Sequence, residues 1–146
     1  MTVNCNSKKD PALDWFNSQS EFWRGLLSAQ DYIFDTGIHV ETIHIDVCNG
    51  DLHAALILSR IIYWQGKNPI TRKPRLKTER DGHLWLARHH KDWWEECRVD
   101  AKTARVAIDW LVDLGVVVKA MYSIDGAPQK HYRINRSRLR ELEMTC

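Results

Sequence analysis

The chain of 146 residues lacks several things that would point to common functions. No apolar run approaches membrane-spanning length, so no helical membrane span and no membrane partner are expected. The four cysteines (Cys5, Cys48, Cys97 and Cys146) are far apart and form no C-x-x-C pair, which excludes zinc-ribbon and thioredoxin-type spacings. With no secretory leader recognisable at the N-terminus, they read as reduced thiols of a cytoplasmic protein. There is no glycine-rich phosphate loop and no internal repeat. Seven histidines are present, yet His89 and His90 with Cys97 lack a ligand spacing, and nothing supplies a second pair. Glu95 and Glu96 are neighbours on a helix and point apart, so they cannot act as a catalytic carboxylate pair. A nucleophilic Cys48 or Cys97 would need an organised histidine that the sequence does not display. The expectation is a protein with no enzymatic activity, no metal and no cofactor.

What is present is unevenly distributed. The net charge is only +2, but residues 1–60 carry a balance of −4 and residues 61–146 a balance of +6. Such a division places a polyanion-facing surface, if there is one, in the second part of the chain. Seven tryptophans imply an aromatic-rich core. The pair Trp93-Trp94 offers rings on which single-stranded bases could stack. More often one tryptophan of such a pair is core and the other packs at a boundary, and that arrangement is the one expected.

The pattern predicts an α+β, mostly α, chain. Residues 1–49 form an N-terminal extension that is helical over about residues 11–29 and docks on the main domain. Ile43, Ile45 and Val47 alternate as in a strand, but the run ends in "NGD", which favours a short helix or an irregular segment before Gly50. "DLHAALILSRIIYWQ" (51–65) is a helix with Asp51 at its start, apolar nearly all round and therefore covered on several sides. Residues 66–82 form a loop with six basic residues: Lys67, Arg72, Lys73, Arg75, Lys77 and Arg80. "HLWLARH" (83–89) alternates as one short strand, and residues 91–97 form a short helix. "RVD" is a tight turn with Asp100 as helix cap, and a helix runs from Ala101 to Leu114, stopped by Gly115. Residues 116–122 and 129–134 are strands of a hairpin around "SIDGAP", and a last helix lies in residues 136–146, capped by Asn135 or Ser137.

This order, from residue 50 to 135, is that of a winged helix-turn-helix. Ala104, Ile108, Leu111 and Leu114 form one stripe along the 101–114 helix, extended by Ala101, and Val99 fills the core at the turn. The other side of the first turns then carries Lys102, Thr103, Arg105, Val106 and Asp109 outward. Helix-turn-helix proteins read base edges with this part of the second helix. Arg105 is the candidate base contact, because its fork matches guanine O6 and N7. Lys102 and Thr103 are candidate phosphate contacts. Arg72, Lys73, Arg75 and Lys77 of the basic loop are candidates for the DNA backbone. So are Lys119, Lys130, His131 and Arg133 at the stem of the hairpin, whose tip holds Asp125 and no base.

Four stretches in order, "AALILSRIIYWQGKN", "RDGHLWLARHHKDWWEEC", "TARVAIDWLVDLGVVV" and "GAPQKHYRIN", resemble the winged-helix domain of replication-type and accessory proteins of phages, plasmids and integrated conjugative elements. The resemblance covers about residues 50–135. It implies a DNA-binding protein serving replication initiation or transcriptional regulation, with double-stranded DNA as partner. In that family the recognition helix is usually more basic; here Ala104, Val106 and Asp109 stand at such positions. The alternative is a protein-interaction module that binds a host or replisome protein. A homodimer through helix 51–65 is compatible with both.

Overall fold

The computed structural model describes residues 37–146. The expected N-terminal helical extension over residues 11–29 lies outside the described residues. The chain divides into two compact units at Gly37/Ile38, and only the second is described below.

The second unit is mixed α+β, as the sequence leads one to expect. Its elements are α1 (Thr42–Val47), α2 (Leu52–Gln65), β1 (Glu79–Arg80), β2 (His83–Leu84), β3 (Leu86–Ala87), α3 (Asp92–Cys97), α4 (Ala101–Asp113), β4 (Val117–Ile124), β5 (Ala127–Ile134) and α5 (Arg136–Thr145). β1 and β2 form a two-stranded antiparallel sheet, and β3, β5 and β4 form a three-stranded antiparallel sheet in that order.

α2 is the central element. The Asp51 carboxylate accepts from the Ala54 N–H at 3.1 Å and satisfies one of the free donors of its first turn. Ala54, Ala55, Ile57, Leu58 and Ile61 are fully buried. The two alanines keep the helix slim where α1, α3, α4 and the sheet meet it. The segment before it, open between strand and helix in the sequence, is the helix α1, with His44 and Val47 buried. The His44 ring pairs with Glu143 of α5 at 3.0 Å. Residues 38–49 and α5 therefore belong to the same packed unit as α2, and the boundary drawn after residue 49 moves to 37/38.

A polar staple sets the angle between α2 and α3. Glu96 accepts from Arg60 Nε at 2.8 Å and from Trp64 Nε1 at 2.6 Å, with Arg88 3.7 Å away. Its neighbour Glu95 points into solvent. Trp93 of α3 is fully buried, whereas Trp94 is half exposed. The chain leaves α3 through Arg98 in the left-handed region (φ 59°), and Val99 plugs the core beneath the turn. Asp100 then caps α4: its carboxylate accepts from the Thr103 N–H at 2.8 Å and from the Thr103 hydroxyl at 2.9 Å.

The buried seam of α4 runs through Ala104, Ile108 and Leu111, widened by Ala107. Leu114, in the C-cap position, is only partly buried, and Ala101 is exposed. At about 100° per residue, Ala101 falls roughly 60° off the line of Ala104, so it does not extend the seam. Gly115 follows with φ +84°, and a Cβ there would lie 3.3 Å from Arg138 Cγ. Arg138 also donates from Nε to the Leu114 carbonyl at 3.0 Å, which ties α5 to the end of α4. Gly115→Ala is expected to destabilise the unit by about 1–2 kcal/mol, the cost of a left-handed L-residue, with further loss if Arg138 is displaced. Urea unfolding checks this; an unchanged midpoint would contradict it.

Two strand assignments need correction. The hairpin turn is not the six residues 123–128 but Asp125-Gly126 alone, with φ of 51° and 82°. Both central residues are left-handed, the conformation that suits the twist of a two-residue hairpin and that Asp-Gly adopts readily. Residues 83–89 are not one strand either. β2 pairs with β1, β3 pairs with β5, and Trp85 stands between them. Trp85 and Leu86 are both buried although adjacent, because the chain changes sheets there: Leu86 joins the main core and Trp85 lies against Tyr122, with ring centroids 5.4 Å apart.

Candidate nucleic-acid interface

Opposite its seam, α4 presents Lys102, Arg105, Val106 and Asp109, all exposed. These positions are one or two turns from the capped N-terminus, spaced so that 102, 105, 106 and 109 form one patch. Val106 is 59% exposed although aliphatic. Asp109 is held by Lys119 of β4 at 3.5 Å, which connects the helix patch to the hairpin.

Strand pleat divides the expected hairpin cations between two faces. Register places Val117, Lys119 and Met121 of β4 on the same side as Ile134, Tyr132 and Lys130 of β5. Val117, Tyr132 and Ile134 are packed into the core, so this side faces the helices. Beyond the core it carries Lys119, Met121 and Lys130, alongside α4. His131 and Arg133 project from the other side. His131 is fully buried: its Nδ1 lies 2.8 Å from the Gln129 carbonyl oxygen, and its ring meets Tyr122 edge-on at 5.1 Å. It is no surface contact, because the segment containing Trp85 covers that face. Arg133 lies over the Trp85 ring at 5.1 Å. Asp81 accepts from the Tyr122 hydroxyl and Arg80 O from Trp85 Nε1 at 2.9 Å, which fasten the cover in place. Of the four hairpin candidates, Lys119 and Lys130 therefore stand with the α4 patch, and His131 and Arg133 do not.

His90, noticed in the sequence only as a rejected metal ligand, joins this group. Partial burial and the positive charges of Lys130, Arg105 and Lys119 hold its pKa below the usual histidine value, while Asp109 acts in the opposite sense. The folded state thus resists a proton that the unfolded chain accepts near pH 6.5. Stability from this group is complete above that pH and falls as the pH drops toward the lower folded value. Thermal melts between pH 7.5 and 5 should show the decline, and His90→Gln should make it shallower. An identical slope in the variant would rule out the assignment.

Thr103 spends its hydroxyl donor on Asp100, so its role here is to cap the helix rather than to reach outward. The basic loop is partly ordered by its own backbone. Lys67 and Pro74 form a bridge, Asn68 Oδ1 accepts from the N–H of Ile70 and Thr71, and Arg72 is left-handed. Its end folds into β1 and β2. Arg75 is not free for a backbone phosphate: it stacks on Tyr63 at 4.0 Å and donates to the Tyr63 carbonyl at 2.8 Å. Lys67, Arg72, Lys73 and Lys77 are exposed and make no ion pair among the described residues.

No family model, curated protein or solved structure matches the chain. The patch must therefore be read from its own chemistry. It combines the exposed cations Lys102, Arg105 and Lys119, the half-buried Lys130, one carboxylate already paired and two exposed apolar side chains, Val106 and Met121. Among the described residues, no group of three or more His, Cys, Asp or Glu could hold a metal ion, and no helix is long and apolar enough to cross a membrane. Cys48 and Cys97 are buried, and burial pushes both thiols up, Cys48 to about 12. A thiol kept protonated in this way is a poor nucleophile.

Proposed function

We propose that this chain is a winged-helix DNA-binding protein, with α3 and α4 as the helix-turn-helix and the β4–β5 hairpin as its wing. The observation that carries the proposal is the shared patch of Lys102, Arg105 and Val106 on the outer side of α4 with Lys119 and Lys130 on the helix-facing side of the hairpin. A helix of 13 residues whose free end projects cations beside a two-stranded ribbon has the dimensions and charge to enter a major groove while the ribbon follows the backbone. Lys102 and Lys130 contact phosphate, and Arg105 contacts a base edge. Exposed Lys67, Arg72, Lys73 and Lys77 add contacts to backbone that do not depend on sequence. The resemblance of the four sequence stretches supports a role in replication initiation or transcriptional regulation of a mobile element, in the cytoplasm.

The test is binding to duplex DNA in a gel shift with a salt titration. Arg105→Ala is expected to weaken binding to a selected site by about 1–3 kcal/mol and to weaken random duplex less. Equal loss on both would make Arg105 a phosphate contact only. No retention of any duplex at low salt would reject the proposal.

One observation favours a second reading. α2 leaves Leu52 60% exposed and Tyr63 partly exposed, a surface on which a second copy of the chain, or a host or replisome protein, would be seated. Light scattering on the DNA-free protein separates this from a monomer.

A further inference from the structure

We infer that Val106 selects thymine through its 5-methyl group. This rests on the DNA-binding reading above and adds a specificity residue to it. At about 100° per residue, Lys102, Val106, Asp113 and, somewhat to one side, Asp109 lie nearest the line opposite the buried seam of Ala104, Ile108 and Leu111. Arg105 stands to one side of that line, on the flank whose charge His90 feels together with Lys119 and Lys130. When a helix lies in the major groove, the residues opposite its seam reach deepest. The stripe therefore holds a cation at its start, an aliphatic side chain one turn on, then Asp109, already paired with Lys119, and, in the last turn and farthest from the leading end of the helix, the exposed Asp113.

Val106 has no task in the fold. It is 59% exposed and lies outside the core. It is β-branched, so its two methyl groups are held rigidly in one preferred rotamer on a helix. The only apolar group that a base pair offers on the floor of the major groove is the thymine methyl. A valine in the middle of the stripe makes no hydrogen bond and tolerates any base sterically; it gains only where a methyl meets it. Lys102, a flexible point charge four residues earlier, gives position without base choice. Met121 of β4 is also exposed and apolar, but it stands on the ribbon, where it meets sugar and backbone.

The experiment begins with sites selected by the full chain from a random duplex library at low salt. Each thymine of a selected site is then replaced in turn by deoxyuridine, which removes only the methyl group. The wild-type protein is expected to bind about fourfold more weakly when one particular thymine is replaced, the effect of one buried methyl-sized group. Val106→Ala should bind the parent site more weakly and distinguish thymine from deoxyuridine there by less than about twofold. Wild-type indifference to every replacement would overturn the inference and leave the DNA-binding reading intact, as would a Val106→Ala protein with undiminished discrimination. Failure of the wild-type chain to retain any duplex would overturn both. Because Val106 is exposed, thermal melting of the variant should match the wild type, which keeps a folding defect from imitating the result.

Discussion

Trp93→Ala is expected to lower the unfolding free energy by about 3–5 kcal/mol. The indole is fully buried in the main core cluster, on a helix of only six residues. Such a short helix has little stability of its own and is held by the side chains it buries. Removing the ring leaves a cavity bounded by α2 and α4, which the two alanines of α2 and Ala104 cannot fill. A loss of that size is a large part of the roughly 5–15 kcal/mol that a domain commonly has. The indole N–H has no hydrogen-bond partner among the described residues, so the substitution breaks no hydrogen bond and removes one desolvated donor, which offsets part of the packing loss. Trp94 supplies the internal control. It is half exposed and lies beneath the Arg98 guanidinium at 5.5 Å, and Trp94→Ala should shift the urea midpoint far less. Similar losses for the two variants would show that α3 is not packed as described.

Reversing both leading cations of α4, with Lys102→Glu and Arg105→Glu together, is expected to reduce duplex affinity about thirtyfold or more, taking roughly 1–3 kcal/mol for each cation withdrawn from the DNA. The slope of log affinity against log salt should fall by about one, because Lys102 neutralises a phosphate whereas Arg105 contacts a base edge. The fold should not be weakened: both side chains are exposed, neither forms an ion pair among the described residues, and a carboxylate in the first turn suits the helix dipole. Asp109 sharpens the test. With Asp109 and the two new glutamates, every charged side chain on the outer face of α4 is acidic, and Lys119, already drawn to Asp109, cannot offset it. A double variant that binds duplex as the wild type does would move the DNA-contacting surface away from α4, and the exposed lysines of the 66–82 loop would become the next place to look.

Much of the helical framework was legible in the chain because short-range chemistry decides it. Asp100 before an apolar seam announced a capped helix, and Gly115 announced its end. That one of Trp93 and Trp94 would be core and the other at a boundary was expected; that Trp93 is the core residue came from the structure. Strand parity was also legible and would have separated Lys130 from His131 and Arg133, since adjacent strand residues face opposite ways. Treating the hairpin stem as one basic patch overlooked that signal. The period-2 pattern of residues 83–89 misled for another reason: the segment switches sheets at Trp85, and a pattern of side chains does not say which partner strand each half will find.

By itself, then, the sequence determined where α2 and α4 begin, the central part of the buried stripe of α4, and that a hairpin turns within residues 123–128; the Asp125-Gly126 turn and the cap of α5 by Asn135 rather than Ser137 came from the structure. Each of these depends on groups within a few residues of one another. Tertiary structure alone decided that Trp85 and Asp81 cover one face of the hairpin, that Arg75 folds back on Tyr63, and that Lys119 leans to Asp109. Those outcomes join residues 10 to 41 positions apart, and competition for the limited area of each packed surface settles which side chains remain outside.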